Sequence, residues 1–312
     1  MLQSPVLEIE NLEIRGPAGV LVRDVSLRVD AGEILCVVGE SGCGKTLTAL
    51  SVLDLLPAGL SLAHGTIRFE GRDVSGSDLR RRLRGNGVGI IFQEPATALN
   101  PVYTVGFQIR EMLHGVPRKK ADGVMEGLLR SAGLDPSVAG KYPHELSGGM
   151  KQRAMMAMAL AGNPRLLLCD EPTTALDPTV GALILSQLRD LAARGLSVML
   201  ITHDFHAVRR MTGNMAVLYA GVVMEEGPIE SVMSSARHPY THALLEALPR
   251  PGRPPSSIPG QVPPPGMRPP GCPFFNRCSR AQNICENTLP PLDGEKGHRF
   301  RCHSPMQPAT LF

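Results

Sequence analysis

The run Gly39-Glu-Ser41-Gly42-Cys43-Gly44-Lys45-Thr46 fits G-x-x-x-x-G-K-[ST], a spacing suited to binding a polyphosphate. A phosphate chain needs several convergent donors, and glycines let the backbone curl until successive N–H groups and a helix N-terminus face one anion. In that pattern Lys45 reaches the β- and γ-phosphates, the Thr46 hydroxyl ligates Mg²⁺, and Cys43 is a spacer. A second acidic pair, Asp170-Glu171, ends the apolar run Leu166-Leu-Leu-Cys169. Side chains alternate along a strand, so adjacent carboxylates at its end can take different tasks, Asp170 in a Mg²⁺ shell and Glu171 polarising an attacking water. Alone, such a pair is more often a solvated strand end; beside a phosphate loop it points to phosphoryl chemistry. A third run, Leu146-Ser147-Gly148-Gly149-Met150, reads as a helix start with a Ser cap, and its glycines would let it bind a second anion.

Cysteine is distributed unevenly. Of seven, Cys36, Cys43 and Cys169 are spread through the first half, whereas Cys272, Cys278, Cys285 and Cys302 crowd beyond residue 271. In a reducing compartment such a cluster favours metal over disulfides.

The elements that position these residues follow from hydrophobic pattern. Strands alternate with helices, the signal for a parallel sheet with helices on its faces. Ile34 to Val38, Gly89 to Phe92, Leu166 to Cys169 and Ser197 to Thr202 read as buried strands. Thr46 to Leu56 carries helical spacing, and Pro178 to Arg194 is a helix with Pro near its start and Gly195 past its end. A hairpin follows, Met215 to Tyr219 turning at Ala220 and Gly221 into Val222 to Glu226. Residues 95–160 are mostly helical and interrupt the alternation, so they form an inserted subdomain. Residues 249–273 hold 11 of the 28 prolines and form an extended linker.

Composition excludes several classes. At 312 residues the chain holds one large domain or two modest ones and needs no disulfide scaffold. The net charge of +3 carries no basic run beyond Arg118-Lys119-Lys120, read as a solvated loop, which argues against a dedicated nucleic-acid binder. The 4% aromatic share and absence of Trp argue against stacking platforms for single strands. No apolar run approaches the roughly 20 residues of a spanning helix, and Glu8 and Glu10 stand where a secretory peptide would be apolar.

The ordered set resembles the ATP-binding cassette ATPases: phosphate loop at 39–46, signature at 146–150 and Walker B strand at 166–171. Gln93 resembles the Q-loop glutamine, Ala175-Leu176-Asp177 the D-loop, and Ile201-Thr202-His203-Asp204 the switch-histidine segment, with His203 a γ-phosphate contact. The resemblance implies a P-loop NTPase (RecA-like) α/β fold: a parallel core, an antiparallel β subdomain, a helical subdomain at about 95–160, and a small Cys-rich extension. It implies ATP bound with Mg²⁺ held by Thr46, Gln93 and Asp170. It also implies two domains pairing head to tail, so that Ser147, with Gly148 and Gly149, contacts nucleotide on the other protomer. The family usually stacks adenine on an aromatic residue, yet residues 11–30 contain none. Adenine is left to Val20 or Val22, or to Arg15 or Arg23.

Two further stretches, Phe92-Gln-Glu-Pro-Ala-Thr-Ala-Leu-Asn-Pro101 and His238-Pro-Tyr-Thr-His-Ala-Leu-Leu-Glu-Ala-Leu-Pro249, resemble ATPase subunits of dipeptide, oligopeptide and nickel importers. On that resemblance residues 94–110 abut a permease, and the protein is peripheral on the cytoplasmic face of the inner membrane. Its partners are two integral permease subunits, a second ATPase subunit that is more often a different chain, and an external solute-binding protein, with no nucleic acid. Peptide, nickel chelate and glutathione-like solutes all fit, because selectivity resides outside this chain. The tail from Gly271-Cys-Pro-Phe-Phe-Asn-Arg-Cys278 to Cys302 resembles an extension associated with a [4Fe–4S] cluster; zinc would accept the same four sulfurs, with His298 or His303 able to replace one. The chain thus divides into an ATPase domain (1–235) and an extension (236–312) with a Pro-rich linker at 249–271 and a four-Cys module at 272–302. The rival reading is a soluble cassette ATPase acting on nucleic acid or ribosomes with a zinc-bound tail. A non-catalytic cassette is disfavoured by the presence of Glu171 and His203.

Overall fold

The structure, a computed structural model, describes residues 5–174, 176–249, 257–295 and 297–307. Ala175 of the D-loop and residues 250–256 of the linker lie outside them. In chain order the strands are β1 (Leu7–Gly16), β2 (Gly19–Val29), β3 (Ile34–Val38), β4 (Ser61–Phe69), β5 (Arg72–Asp73) and β6 (Val88–Ile91). There follow β7 (Leu166–Asp170), β8 (Ser197–Thr202), β9 (Asn214–Tyr219), β10 (Val222–Pro228), β11 (Asp293–Glu295) and β12 (His298–Phe300).

These strands form two sheets. One is antiparallel, in the order β2-β1-β4-β5; the other is mixed, in the order β11-β12-β10-β9-β3-β8-β7-β6. In the mixed sheet, β9, β3, β8, β7 and β6 run parallel. Their apolar runs are buried on both faces, and alternation divides them. Cys36, Val38, Leu167 and Cys169 face the core shared with the helix Pro178–Ala193, whereas Leu35, Val37, Leu166 and Leu168 face the antiparallel sheet and the helix Lys45–Val52. That last helix begins one residue earlier and ends four earlier than its periodicity predicts, because Leu53 and Asp54 leave the helix, Asp54 at φ 54°.

The helical insertion has its own core. Ile109, Leu129 and Ala157 bring together the helices Val105–Glu111, Arg118–Ser131 and Gly148–Leu160. Lys119 and Lys120 are exposed, as expected, but start a helix rather than lying in a loop.

The tail folds back onto the ATPase body. β12 pairs antiparallel with β10, Phe300 opposite Glu225 and Arg299 opposite Glu226. Glu225 is fully buried, and its carboxylate accepts from the backbone N–H of Arg237 (2.6 Å) and of His238 (2.9 Å) and from His298 Nε2 (2.6 Å). Arg301 donates to the Pro290 carbonyl and to Asp24. Arg23 donates to the carbonyls of Pro270 and Gly271, and Arg268 to those of Val20 and Leu21. The scarce aromatics are concentrated here: Tyr219, Tyr240 and Phe274 pack with ring centroids 4.6 to 5.3 Å apart.

Candidate functional site

Parallel strands bring their C-terminal ends to one crevice, where ligands of such sheets bind. The phosphate loop leaves β3, Asp170 and Glu171 end β7, His203 follows β8, and Gln93 lies two residues past β6. The loop is held close to its neighbour: a Cβ on Gly39 would lie 2.1 Å from the Leu218 carbonyl oxygen, so only glycine fits. Gly42 and Gly44 have φ of 74° and 104°, the left-handed turns that aim successive N–H groups inward.

Lys45 is buried and donates to the backbone carbonyls of Gly39 (2.8 Å) and Glu40 (3.0 Å). The Thr46 hydroxyl donates to Asp170 Oδ1 at 3.1 Å, so the two oxygens suited to Mg²⁺ are already adjacent. Glu171, at φ 47°, accepts from His203 Nδ1 (3.0 Å), the Thr174 hydroxyl (2.9 Å) and Gln93 Nε2 (3.3 Å). An ionised carboxylate only accepts, so His203 carries its proton on Nδ1. Burial pushes the Asp170 carboxyl up, against the Thr46 hydrogen bond and the Lys45 charge. Burial pushes Glu171 the same way, but the His203 and Thr174 hydrogen bonds and the nearby positive charge outweigh it and hold the group below the usual carboxylate range. A base kept ionised and aimed into a phosphate crevice can order and deprotonate a water.

Ser147 caps the helix Gly148–Leu160, its Oγ accepting from the Met150 N–H. Gly148 approaches Leu176, a Cβ on Gly149 would press on Val180, and Asp177 caps the helix Pro178–Ala193. The signature therefore packs on the D-loop side of its own chain, while no hydrogen bond joins Ser147 to the phosphate loop among the described residues. Of the four adenine candidates, Arg23 is engaged by the tail, Arg15 pairs with Glu13, and Val22 touches Gly44. Val20 is half-buried at the start of β2.

Cys272, Cys278, Cys285 and Cys302 line one cavity together with His238 and His303. Burial pushes the Cys272 thiol up to about 12 and the Cys302 thiol up to about 11. Among the described residues, no group of three or more His, Cys, Asp or Glu stands at the spacing that would hold a metal ion. His298 turns to Glu225 instead of the thiols, drawn there by a buried carboxylate, so it does not replace a thiolate; His303 hydrogen-bonds the Thr288 carbonyl.

Sequence reasoning missed Thr174 as the hydroxyl on Glu171 and Tyr240 as the acceptor of the Glu40 N–H (3.0 Å). Thr174 has a local signal, three residues beyond the base on a turn; Tyr240 has none, lying 200 residues from its partner.

Residues 22–174 match the ABC transporter family and residues 224–285 the oligopeptide/dipeptide transporter C-terminal region. A putative peptide import ATP-binding protein of Brucella melitensis is 41% identical over 330 residues, covering 97% of this chain and 98% of that one. A second protein of that description, from Brucella abortus, is 40% identical over 96% of this chain. Among solved structures, a dimeric ATP-binding cassette in a post-hydrolysis state bound to ADP and Pi superposes with a TM-score of 0.64 at 25% identity, over 72% of this chain and 98% of that one. The cbiO1 cassette of Clostridium perfringens shares the fold, with a TM-score of 0.65 over 73% of this chain and 90% of that one. With Lys45, Thr46, the paired carboxylates and His203 gathered at one sheet end, the chain belongs to the ABC transporter ATP-binding proteins and is an ATPase of the oligopeptide/dipeptide transporter type.

Proposed function

We propose that this chain hydrolyses ATP to energise peptide import through a membrane permease. The observation that carries the catalytic part is the convergence of Gln93, Thr174 and His203 on Glu171, next to the Thr46–Asp170 pair. Glu171 takes a proton from water as its oxygen attacks the γ-phosphorus and ADP departs with the bridging electrons. Lys45 leaves its carbonyl partners for the β- and γ-phosphates, and His203 contacts the γ-phosphate. Thr46, Asp170 and Gln93 would hold Mg²⁺, which neutralises charge developing on the phosphate oxygens. Ser147, Gly148 and Gly149 serve the nucleotide of a partner ATPase, with Asp177 at the same interface; the partner is a related second subunit or a second copy.

Peptide as solute rests on the relatives' descriptions and on the C-terminal region match. The permease reading is supported by a groove between the core and the helical insertion, lined by Leu55, Arg84, Phe92, Ala98, Met112 and Met158. Phe92, just before residues 94–110, and Phe107, within them, are exposed, and no described helix is long and apolar enough to cross a membrane itself. Copurification with two integral membrane subunits and peptide-stimulated ATP turnover is the expected result. Association with nucleic acid and no permease would overturn the reading.

On the resemblance of the tail, we propose that Cys272, Cys278, Cys285 and Cys302, which line one cavity without standing at metal-holding spacing among the described residues, close on a [4Fe–4S] cluster when it binds. Such a group would act as a core for a segment with few apolar residues of its own. Iron and sulfide near four per chain, with a broad visible absorption, are expected; a colourless protein with stoichiometric zinc would replace the cluster by zinc.

A further inference from the structure

We propose that Arg277 is a positioning residue for nucleotide binding, which ties the cysteine segment to the phosphate loop through Glu40. Its guanidinium donates to Glu40 Oε2 at 2.7 Å and Oε1 at 3.1 Å, a two-pronged pair that fixes the carboxylate in plane as well as in distance. The same group donates to the Tyr219 hydroxyl (3.1 Å) and to the carbonyls of Pro259 (2.9 Å) and Ile258 (3.2 Å). It lies 5.6 Å from the ring centre of Tyr219 and 5.8 Å from that of Phe274. The Arg277 side chain is 5% exposed and that of Glu40 28%, so the pair is partly shielded from salt and water.

Glu40 is the second residue of the phosphate loop, and all its polar groups are engaged. Its N–H donates to the Tyr240 hydroxyl, its carbonyl accepts from Lys45 Nζ, and its carboxylate holds Arg277. Tyr219, Tyr240 and Arg277 therefore fix, from beneath, the backbone whose N–H groups must converge on phosphate. Arg277 is itself set by a tight turn. The Phe275 N–H donates to the Cys272 carbonyl, the Arg277 N–H to that of Phe274, and the Cys278 N–H to that of Phe275, while the Cys272 N–H is held by the Cys285 carbonyl. A change at the thiols thus moves Arg277, and the loop feels it as a change in ATP affinity, with the reciprocal effect that linkage requires.

The inference rests on the ATPase assignment but not on which metal the thiols take. The test is titration of the full chain, as purified, with a fluorescent ATP analogue, alongside steady-state turnover. Arg277→Ala should weaken nucleotide binding and raise the KM for ATP about tenfold, leave kcat within about twofold, and Arg277→Lys should recover part of the loss. Glu40→Gln, which keeps the side-chain shape, should weaken binding similarly, and the Arg277→Ala, Glu40→Gln double variant should be no weaker than the worse single one. Cys278→Ser should weaken binding when Arg277 is present and change it little when Arg277 is Ala. Unchanged affinity in Arg277→Ala, additive effects in the double variant, or an equal Cys278→Ser effect in both backgrounds would each overturn the inference. If Arg277→Ala does not fold, unchanged affinity in Glu40→Gln overturns it. Failure of the unsubstituted chain to bind the analogue would overturn the ATPase assignment as well, which separates the two.

Discussion

The phosphate loop and the four-thiol segment both gather polar groups around a space, but different forces hold them in place. The first stands at the ends of buried parallel strands, where Val38, Asp170 and Thr202 are placed by the ladder between β3, β8 and β7 before any ligand arrives. The second has three-residue strands and short turns of its own; it reaches the main core through Cys272, Phe274 and Cys285 and is otherwise held by arginine side chains and by Glu225. A site set by a sheet keeps its shape when empty. A site held by a few side-chain links loses shape when those links are removed.

That contrast is open to test, beginning with the largest effect. Glu171→Gln should lower kcat by about 100-fold or more while ATP binding persists, since a general base contributes that much and the strand end stays intact. Turnover within tenfold of the unsubstituted chain would show that the base lies elsewhere. Glu225→Ala leaves two backbone N–H groups and His298 without their acceptor in a fully buried position, and should cost about 3 kcal/mol in urea unfolding. A cost below ~1 kcal/mol would mean that the join between β10 and the tail is not held by this carboxylate.

Arg301→Ala should cost about 2 kcal/mol and release the tail to proteolysis sooner than the ATPase body, since the side chain is 10% exposed and bridges Pro290 to Asp24. Body and tail cleaved at equal rates would erase the distinction. Asp54 supplies the smallest effect and a control within the body. It receives Arg80 and Arg81, and although burial raises its carboxyl, those arginines bring it below the ordinary 3.8. A depressed carboxylate adds stability above its unfolded pKa and loses it as pH falls through the folded one. Asp54→Asn should therefore cost about 1 kcal/mol at pH 7, a difference that shrinks as pH falls below the ordinary carboxylate range, with tail proteolysis unchanged.

The same contrast explains what was legible in the sequence. Gly39, Lys45, Thr46, Asp170 and Glu171 lie within two short runs whose strand-then-loop context is visible locally, so their meeting follows from the fold class. His203 and Gln93 were placed by resemblance, and the structure brings both to Glu171. Arg277 could not be read in advance: an arginine in a Pro- and Cys-rich tail gives no local sign of a carboxylate 237 residues away. His298 misled for the opposite reason, because a histidine near cysteines suggests ligation, whereas burial of Glu225 decides where it turns. The pairing of β12 with β10 was also hidden, since three residues carry no strand periodicity.

The tail's place in the fold has a consequence for solubility. Without it, β10 would end the mixed sheet, and the backbone of Glu225 and Glu226, with the Met224 carbonyl that now accepts from the Arg301 N–H, would lose its partner on that side. β2 ends the antiparallel sheet, and there Arg268 takes up the Val20 and Leu21 carbonyls that a stray strand would otherwise use. One proline- and cysteine-rich segment thus covers part of one margin of each sheet, a safeguard against edge-to-edge association.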